Sequence, residues 1–390
     1  VTFDLSGAPA ALNETRQRRV LLPTELPPSL ELGGGHVFRP IHTLTGATMG
    51  TYWRARLVER PTAHADDAAQ ANAILIKTFD EVVARMSPWE PQSDLARFAR
   101  TPPGEWLTLA PETAHVLIRA LEVAALTGGA YSPALGEVTE LLGFGPGDPA
   151  TRHSIDSPQV RAARARADYR RIEFDAQRHA VRQRADDDAP SANPPLHIDL
   201  CSIAKGYAVD LASERLHAAG WHHHFIEIGG EARGRGCKPD GQPWWCYLET
   251  PATTDTQENA PSEVPSSVAG LCELAVATSG NAHHHFEDEA SGKFVGHILR
   301  PDDFEPRAAA DGNGKHSPNA VPNALHSVTV FAPTCMEADA WATALYALGP
   351  KRGLPLAEAQ HLAARWLYSE QAPRRVLREI ATTQFQRLVD

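Results

Sequence analysis

Apolar and polar positions recur with two different periods along the chain, and the switches between them mark out its elements. Between residues 66 and 86, Ile74, Phe79, Val82, Val83 and Met86 fall at helical spacing, which predicts a long amphipathic helix. Pro88 and Pro91 stop it and hold Trp89 in a rigid loop, and Ser93 is placed to cap the next short helix. A second long helix is predicted over 111–128, closing at Gly128-Gly129. Another carries Ile203, Tyr207, Ala208, Leu211 and Leu216 on one stripe, with Gly220 at its C-terminal end. Thr334 and Glu337 form a capping box opening a further helix, which Gly349-Pro350 closes.

Between the helices the pattern is that of strands. Residues 43–58 read as a glycine turn feeding a strand through Tyr52, Arg54, Arg56 and Val58. Two strands joined at Asp175-Ala176 are predicted over 166–187, and others at Phe225–Ile228, Leu274–Thr278 and Val328–Phe331. Ile198–Leu200 reads as a strand end that delivers Asp199 to a turn. Leu354–Leu367 reads as a final helix and strand, and the tail to Asp390 as a further helix. Helices interleaved with antiparallel-looking strands predict an α+β fold. No G-x-G-x-x-G leads from a strand into a helix, which disfavours a Rossmann site.

Composition sets the segments apart. Residues 1–38, with Pro27-Pro28 and Gly33-Gly34-Gly35, read as an arm ahead of a core domain over 39–368, with 369–390 as a tail. Three polar stretches, near 186–195, 251–266 and 302–323, read as surface insertions. The 390 residues are 42% hydrophobic and 22% charged, the balance of a globular chain. A net charge of −11 argues against a nucleic-acid groove, and it leaves an anionic ligand in need of a metal, a lysine or a helix N-terminus. Five cysteines without C-x-x-C spacing indicate neither a zinc site nor a disulfide framework. No apolar run is long enough to span a membrane, and no signal peptide is visible.

The chemistry concentrates in residues 197–236, where a turn carrying Asp199, Ser202 and Lys205 opens a helix and a later strand stops at Gly229-Gly230. By spacing alone this is equally an ordinary βαβ-like unit with Lys205 as a surface charge. The wording is more specific. D-L-x-x-I-A-K-G-Y-A-V-D, followed by I-x-I-G-G-E-x-R-x-x-G, resembles the FAD:protein FMN transferases, the ApbE-like flavin transferases. The resemblance covers about residues 40–367. It takes in Met49-Gly50-Thr51, the segment from Met86 to Phe98, GAYSPALGEVTELLGFG (129–145), the stretch from Thr278 to Glu287, HILRP (297–301) and EADAWAT (337–343). Ser132 and Arg300 stand where that family has aspartate, and Asn281 where it has aspartate or serine.

The resemblance implies a T-fold-like architecture, two lobes about a central ligand cleft. It implies Mg²⁺-dependent transfer of FMN from FAD to a Ser or Thr hydroxyl of an acceptor flavoprotein that carries a flavinylation motif, with release of AMP. Met49, Trp89, Ala130, Tyr131, Ser132, Asp199, Lys205 and Leu299 are then the FAD neighbours. Lys205 and His297 are the catalytic candidates, His297 either taking the acceptor proton or orienting a phosphate. Asp339 and Thr343 lie at i, i+4 on one helix face. By residue type they are either oxygen ligands suited to Mg²⁺ or a buried Asp–Thr hydrogen bond. The resemblance makes them metal ligands, with Ser202 completing the set through its backbone carbonyl.

Two other classes fit the same residues: a pyrophosphatase splitting FAD to FMN and AMP, and an FAD-binding protein without catalysis. The triplets His222–His224 and His283–His285 read as solvated polar ends, since three consecutive residues cannot face one metal. Thr45-Gly46-Ala47-Thr48 matches the core of the family's acceptor motif but has His42 in place of its upstream aspartate, and reads as a coincidence. The resemblance favours the periplasmic side of a bacterial inner membrane, and the lack of a visible signal peptide leaves the cytoplasm open.

Overall fold

A computed structural model of the chain describes residues 18–24, 39–61, 66–185, 195–250, 264–281, 285–300, 324–371 and 375–389. The three expected insertions, most of the expected arm, and His283 and His284 lie largely or wholly outside these residues. In chain order the first half forms β1 (Arg18–Leu21), β2 (Ile41–Thr48), β3 (Thr51–Val58), α1 (Asp67–Met86), α2 (Asp94–Phe98), β4 (Leu107–Thr108), α3 (Pro111–Leu126), α4 (Gly136–Leu141), α5 (Pro158–Arg166), β5 (Ile172–Asp175) and β6 (Ala180–Gln183). Then come α6 (Ala204–Ala218), β7 (His224–Ile228), β8 (Glu231–Arg235), β9 (Trp244–Leu248), β10 (Ser266–Leu271), β11 (Leu274–Gly280), β12 (His285–Asp288) and β13 (Lys293–Gly296). The chain ends with β14 (Ala324–Ala332), α7 (Cys335–Ala359), β15 (Ala363–Gln371), β16 (Arg375–Ala381) and α8 (Thr383–Arg387). The fold is α+β, as the pattern predicts.

The chain divides into two compact units. The first comprises residues 1–80, 205–280 and 323–390. Its frame is an eight-stranded sheet in the order β16-β15-β14-β11-β8-β7-β3-β2. Every neighbouring pair in it is antiparallel. A smaller sheet, β1-β10-β9, belongs to the same unit. Leu21, Phe225, Trp244, Leu271, Val276, Phe331 and Phe385 form its apolar core. The second unit comprises residues 81–204 and 281–322. It holds α2–α5, the sheet β4-β6-β5 and the hairpin β12–β13. Leu135, Val138, Leu142, Ile155, Val160 and Val295 make up much of its core, with Phe144, Phe286 and Leu299 packed against it.

The helical spacing of the sequence translates into burial: Phe79, Val82 and Met86 of α1 are buried. Ser93 caps α2 by accepting from the Ala96 N–H, as expected. Gly349 closes the helix that Thr334 opens, as expected: its backbone is non-helical (φ 64°, ψ 171°), and Pro350 starts the second helical stretch of α7, which runs to Ala359. Three expectations change. Ile198–Leu200 is extended chain rather than strand, because the Asp199 N–H bonds to the single carbonyl of Pro133 and no ladder forms. The tail is part of the core: β16 is a sheet edge, and Phe385 of the short α8 is fully buried. His224 is also buried, because β7 is an interior strand of the sheet. Its Nδ1–H donates to the Trp221 carbonyl at 2.8 Å, and the Ser213 hydroxyl donates to its Nε2 at 2.7 Å. Among the described residues no helix is long and apolar enough to cross a membrane. Cys237, Cys246, Cys272 and Cys335 are buried and Cys201 is exposed.

Candidate functional site

In the first unit the candidate residues gather where α6 meets α7. Lys205 sits in the first turn of α6 and Asp339 in the second turn of α7. Between them Gly206 donates its N–H to Asp339 Oδ2 at 2.9 Å. A Cβ on Gly206 would lie 2.3 Å from the Cys335 carbonyl oxygen and 2.8 Å from Asp339 Cβ. Only glycine allows helices this close. Asp210, one turn further along α6, accepts from the Cys335 and Met336 N–H groups at 2.9 and 2.8 Å. A carboxylate on helix-start N–H groups, which have no partner within the helix, fixes where α7 begins. Arg233 of β8 closes this contact, 2.6 Å from Asp210.

Charge is concentrated at that junction. Lys205 Nζ lies 2.6 Å from Glu231 Oε2, and Glu231 is almost wholly buried just after the tight Gly229-Gly230 turn. Asp339 is buried as well. Burial first, and the nearby Glu231 carboxylate second, push its pKa up to about 7 against the pull of Lys205 and the Gly206 N–H. One turn on, Thr343 Oγ1 lies 2.9 Å from the Ser279 hydroxyl of β11. Asp339 and Thr343 therefore each bond elsewhere rather than to one another, and the buried Asp–Thr pair is not what forms.

A divalent cation fits this set. A buried carboxylate repelled by a second carboxylate is the environment a positive charge relieves, and a hydroxyl one turn away adds a neutral oxygen. Among the described residues no group of three or more His, Cys, Asp or Glu side chains could hold a metal. Any site here is therefore of the mixed-oxygen kind.

The second unit holds the remaining candidates except Met49. Ser202 donates from Oγ to the Tyr131 hydroxyl at 3.0 Å. Asp199 accepts from Thr139 Oγ1 at 3.0 Å and from the Cys201 N–H at 2.8 Å, so its carboxylate shapes the turn that opens α6. Ala130 and Tyr131 are buried beside Ser132, which caps a short turn by accepting from the Ala134 N–H. The serine thus has a local task where the related family has aspartate. Trp89 is 52% exposed, so it is not a core residue of its unit. The His297 ring meets Phe144 edge-on with centroids 6.4 Å apart, and Leu299 packs on the apolar core. Met49 is at the tip of the β2–β3 hairpin with φ 48°, in the first unit.

Sequence reasoning passed over Glu231, Asp210, Arg233 and Ser279. The first three fall inside the stretch that carries the chemistry, so their signal was proximity to Lys205 in sequence. Ser279 gave no such sign, since only the pairing of β11 beside α7 reveals its contact with Thr343.

The sequence model of the ApbE family matches residues 49–366. An FAD:protein FMN transferase of Haemophilus influenzae is 29% identical over 82% of this chain and 84% of its own length. Its counterpart from Escherichia coli K12 is 27% identical over 85% of each. Among solved structures, the apo form of Pseudomonas stutzeri flavinyl transferase ApbE superposes with a TM-score of 0.70 at 26% identity, covering 90% of this chain and 97% of that one. The flavin transferase ApbE of Vibrio cholerae gives the same TM-score and identity over 89% and 99%.

Proposed function

The chain belongs to the ApbE family, and from that premise we propose that it is an FAD:protein FMN transferase. It moves FMN from FAD to a Ser or Thr hydroxyl of an acceptor protein and releases AMP. The observation that carries this reading is the family match over residues 49–366, which spans both units. In the reaction the acceptor oxygen bonds to the FMN phosphorus, the pyrophosphate P–O bond to AMP breaks, and the hydroxyl proton leaves. The two-lobed, T-fold-like arrangement about a ligand cleft is part of the same proposal.

Asp339 and Thr343 would hold Mg²⁺, with Ser202 as the third ligand. Bound there, the metal supplies positive charge against the pyrophosphate oxygens. The protein's own groups do the rest. Lys205, fixed by Glu231 at 2.6 Å, adds a second positive charge for the phosphates. Glu231 also keeps that ammonium from swinging away, which favours a preorganised over a mobile charge. Asp199 hydrogen-bonds the flavin or ribityl end. His297, whose ring meets Phe144 edge-on, either takes the acceptor proton or orients a phosphate. Trp89 offers an exposed ring face for the flavin, supported by its exposure of 52%.

Incubation of the protein with FAD and Mg²⁺, with and without an acceptor domain, tests the reading. AMP and covalent flavin only in the presence of acceptor is the expected result. AMP without acceptor would make the protein a pyrophosphatase. Bound FAD with no AMP in either mixture would make it a binding protein.

A further inference from the structure

We propose that the free edge of β2 is the docking site for the acceptor protein, which adds an extended segment to the eight-stranded sheet. The proposal rests on the transferase reading above. Among the described residues β2 is the last strand of the sheet and pairs only with β3. Their register runs unbroken from Ile41↔Val58 to Thr48↔Thr51. The hairpin closes through two residues, Met49 and Gly50, both with positive φ (48° and 71°). In a two-residue hairpin the residues flanking the turn bond to each other, and the pairs alternate from there. Thr48 therefore faces β3, and the N–H and C=O groups of Ala47, Thr45 and Thr43 point away from it. Among the described residues nothing bonds to those groups. The same three residues have exposed side chains.

Alternate residues with unfilled donors and acceptors form a template for another strand, and proteins usually block such an edge with charge, proline or a bulge. The opposite edge of this sheet is blocked in that way. On β16, Arg378 pairs with Glu370 at 3.0 Å and Glu379 with Arg19 at 2.6 Å. β2, with the sequence IHTLTGAT, has no Lys, Arg, Asp, Glu or Pro and no bulge. An edge left open on one side and guarded on the other is a site for strand addition.

The surroundings identify the occupant. Tyr52, 80% exposed, stands across from Ala47, and Arg54 stands across from Thr45. They offer an aromatic anchor and a positive charge beside the open ladder, which suits an extended, β-prone segment with an acidic residue. A second copy of this chain is a poorer occupant, because each copy carries a net charge of −11. The edge also leads to Met49 at the hairpin tip, one of the expected FAD neighbours, so a segment added along β2 runs towards the flavin.

Thr45→Pro removes one outward N–H without touching the β2–β3 ladder, a change that edge strands tolerate. Thr45→Lys places a guarding charge on the edge, and Thr45→Val leaves the backbone intact. The probe is a synthetic peptide with an aspartate upstream of Ser-Gly-Ala-Thr, followed by mass spectrometry for attached FMN. FAD affinity and circular dichroism are measured on every variant. The expected result is a peptide KM raised about tenfold or more by Pro and by Lys, the equivalent of one lost hydrogen bond. Val should match wild type, and FAD affinity should be the same throughout. Unchanged peptide KM in folded Thr45→Pro and Thr45→Lys overturns the docking site while leaving the transferase reading intact. Wild-type protein that releases AMP from FAD but never labels the peptide overturns both. Sedimentation giving a wild-type dimer that Thr45→Lys converts to monomer assigns the edge to a second copy instead.

Discussion

Gly206 donates its backbone N–H to the Asp339 carboxylate at 2.9 Å, at a point where α6 and α7 leave no room for a Cβ between them. The bond ties the residue after Lys205 to the carboxylate expected to hold the metal. The two functional groups are therefore placed by one contact between backbone and side chain, and its geometry depends on an absent Cβ.

Gly206→Ala tests that dependence. The added methyl would meet the Cys335 carbonyl, which belongs to backbone and cannot rotate away. The helices must part, at the cost of about 1–3 kcal/mol typical of overpacking. The expected outcome is a lower denaturant midpoint with unchanged m-value, together with slower AMP release. A variant as stable and as active as wild type would show that the helices are further apart than described.

His224 gives a pH prediction with a definite sign. Burial is the main cause that drives its pKa down to about 3, so it stays neutral in the folded protein. In the unfolded chain it takes up a proton below about 6.5. Between those values the unfolded state binds more protons, so stability falls as pH falls. At pH 5 the loss attributable to this residue is ~2 kcal/mol, from about 1.4 kcal/mol per pH unit. His224→Gln should be less stable than wild type at pH 8, and the gap should narrow towards pH 5. Urea denaturation of both proteins at the two pH values measures it; a constant gap would mean that His224 takes up a proton in the fold as readily as in the unfolded chain.

How much of this was legible in sequence follows the range of the interactions. The amphipathic spacing of α1, the Ser93 cap and the Thr334 cap are local, and each could be read from a few consecutive residues. The i, i+4 relation of Asp339 and Thr343 is local too. Burial of His224 was not, since it depends on β7 lying between β3 and β8 rather than at an edge. In the sequence it looked like the end of a polar triplet. The helix end at Gly349 and the helix that follows it are local as well. Gly-Pro is a strong stop signal, and proline is also well suited to the first turn of a new helix, which is why the second stretch starts at Pro350. Glu231 could be read as a conspicuous carboxylate after two glycines, but its partnership with Lys205 needed α6 and β8 side by side.

Trp89 separates ligand contact from core packing. A ring that is 52% exposed contributes little to its own unit. Trp89→Ala should change stability by no more than about 0.5 kcal/mol, as surface substitutions usually do. If the ring stacks on the flavin, the KM for FAD should rise about tenfold, within the range for one aromatic contact in a binding site. Thermal unfolding and FAD titration on the same sample measure the two. A large fall in stability, or an unchanged KM, would remove Trp89 from the flavin site.

Asp339 is the residue whose loss should separate folding from function most sharply. Its pKa is pushed up to about 7 by burial and then by Glu231, which means that ionising it costs the fold free energy. For a carboxylate with a folded pKa above its unfolded value of about 3.9, the native state holds the proton longer. Stability without metal should thus decline as pH rises from about 4 to 7. Asp339→Asn cannot ionise, keeps an oxygen facing the Gly206 N–H, and removes the repulsion from Glu231. It should flatten that decline and be at least as stable as wild type at pH 8 without metal. Mg²⁺ should raise the unfolding temperature of wild type at pH 8 and leave that of Asp339→Asn unchanged, because binding to the native state alone stabilises it. AMP release from FAD should be lost in the same variant by far more than one hydrogen bond explains, since the charge facing the pyrophosphate is lost with the ligand. Differential scanning fluorimetry across pH, with and without Mg²⁺, provides the first readout, and AMP assay at saturating FAD the second. Equal stabilisation of both proteins by Mg²⁺ would place the metal elsewhere, and full turnover in folded Asp339→Asn would remove this carboxylate from the reaction.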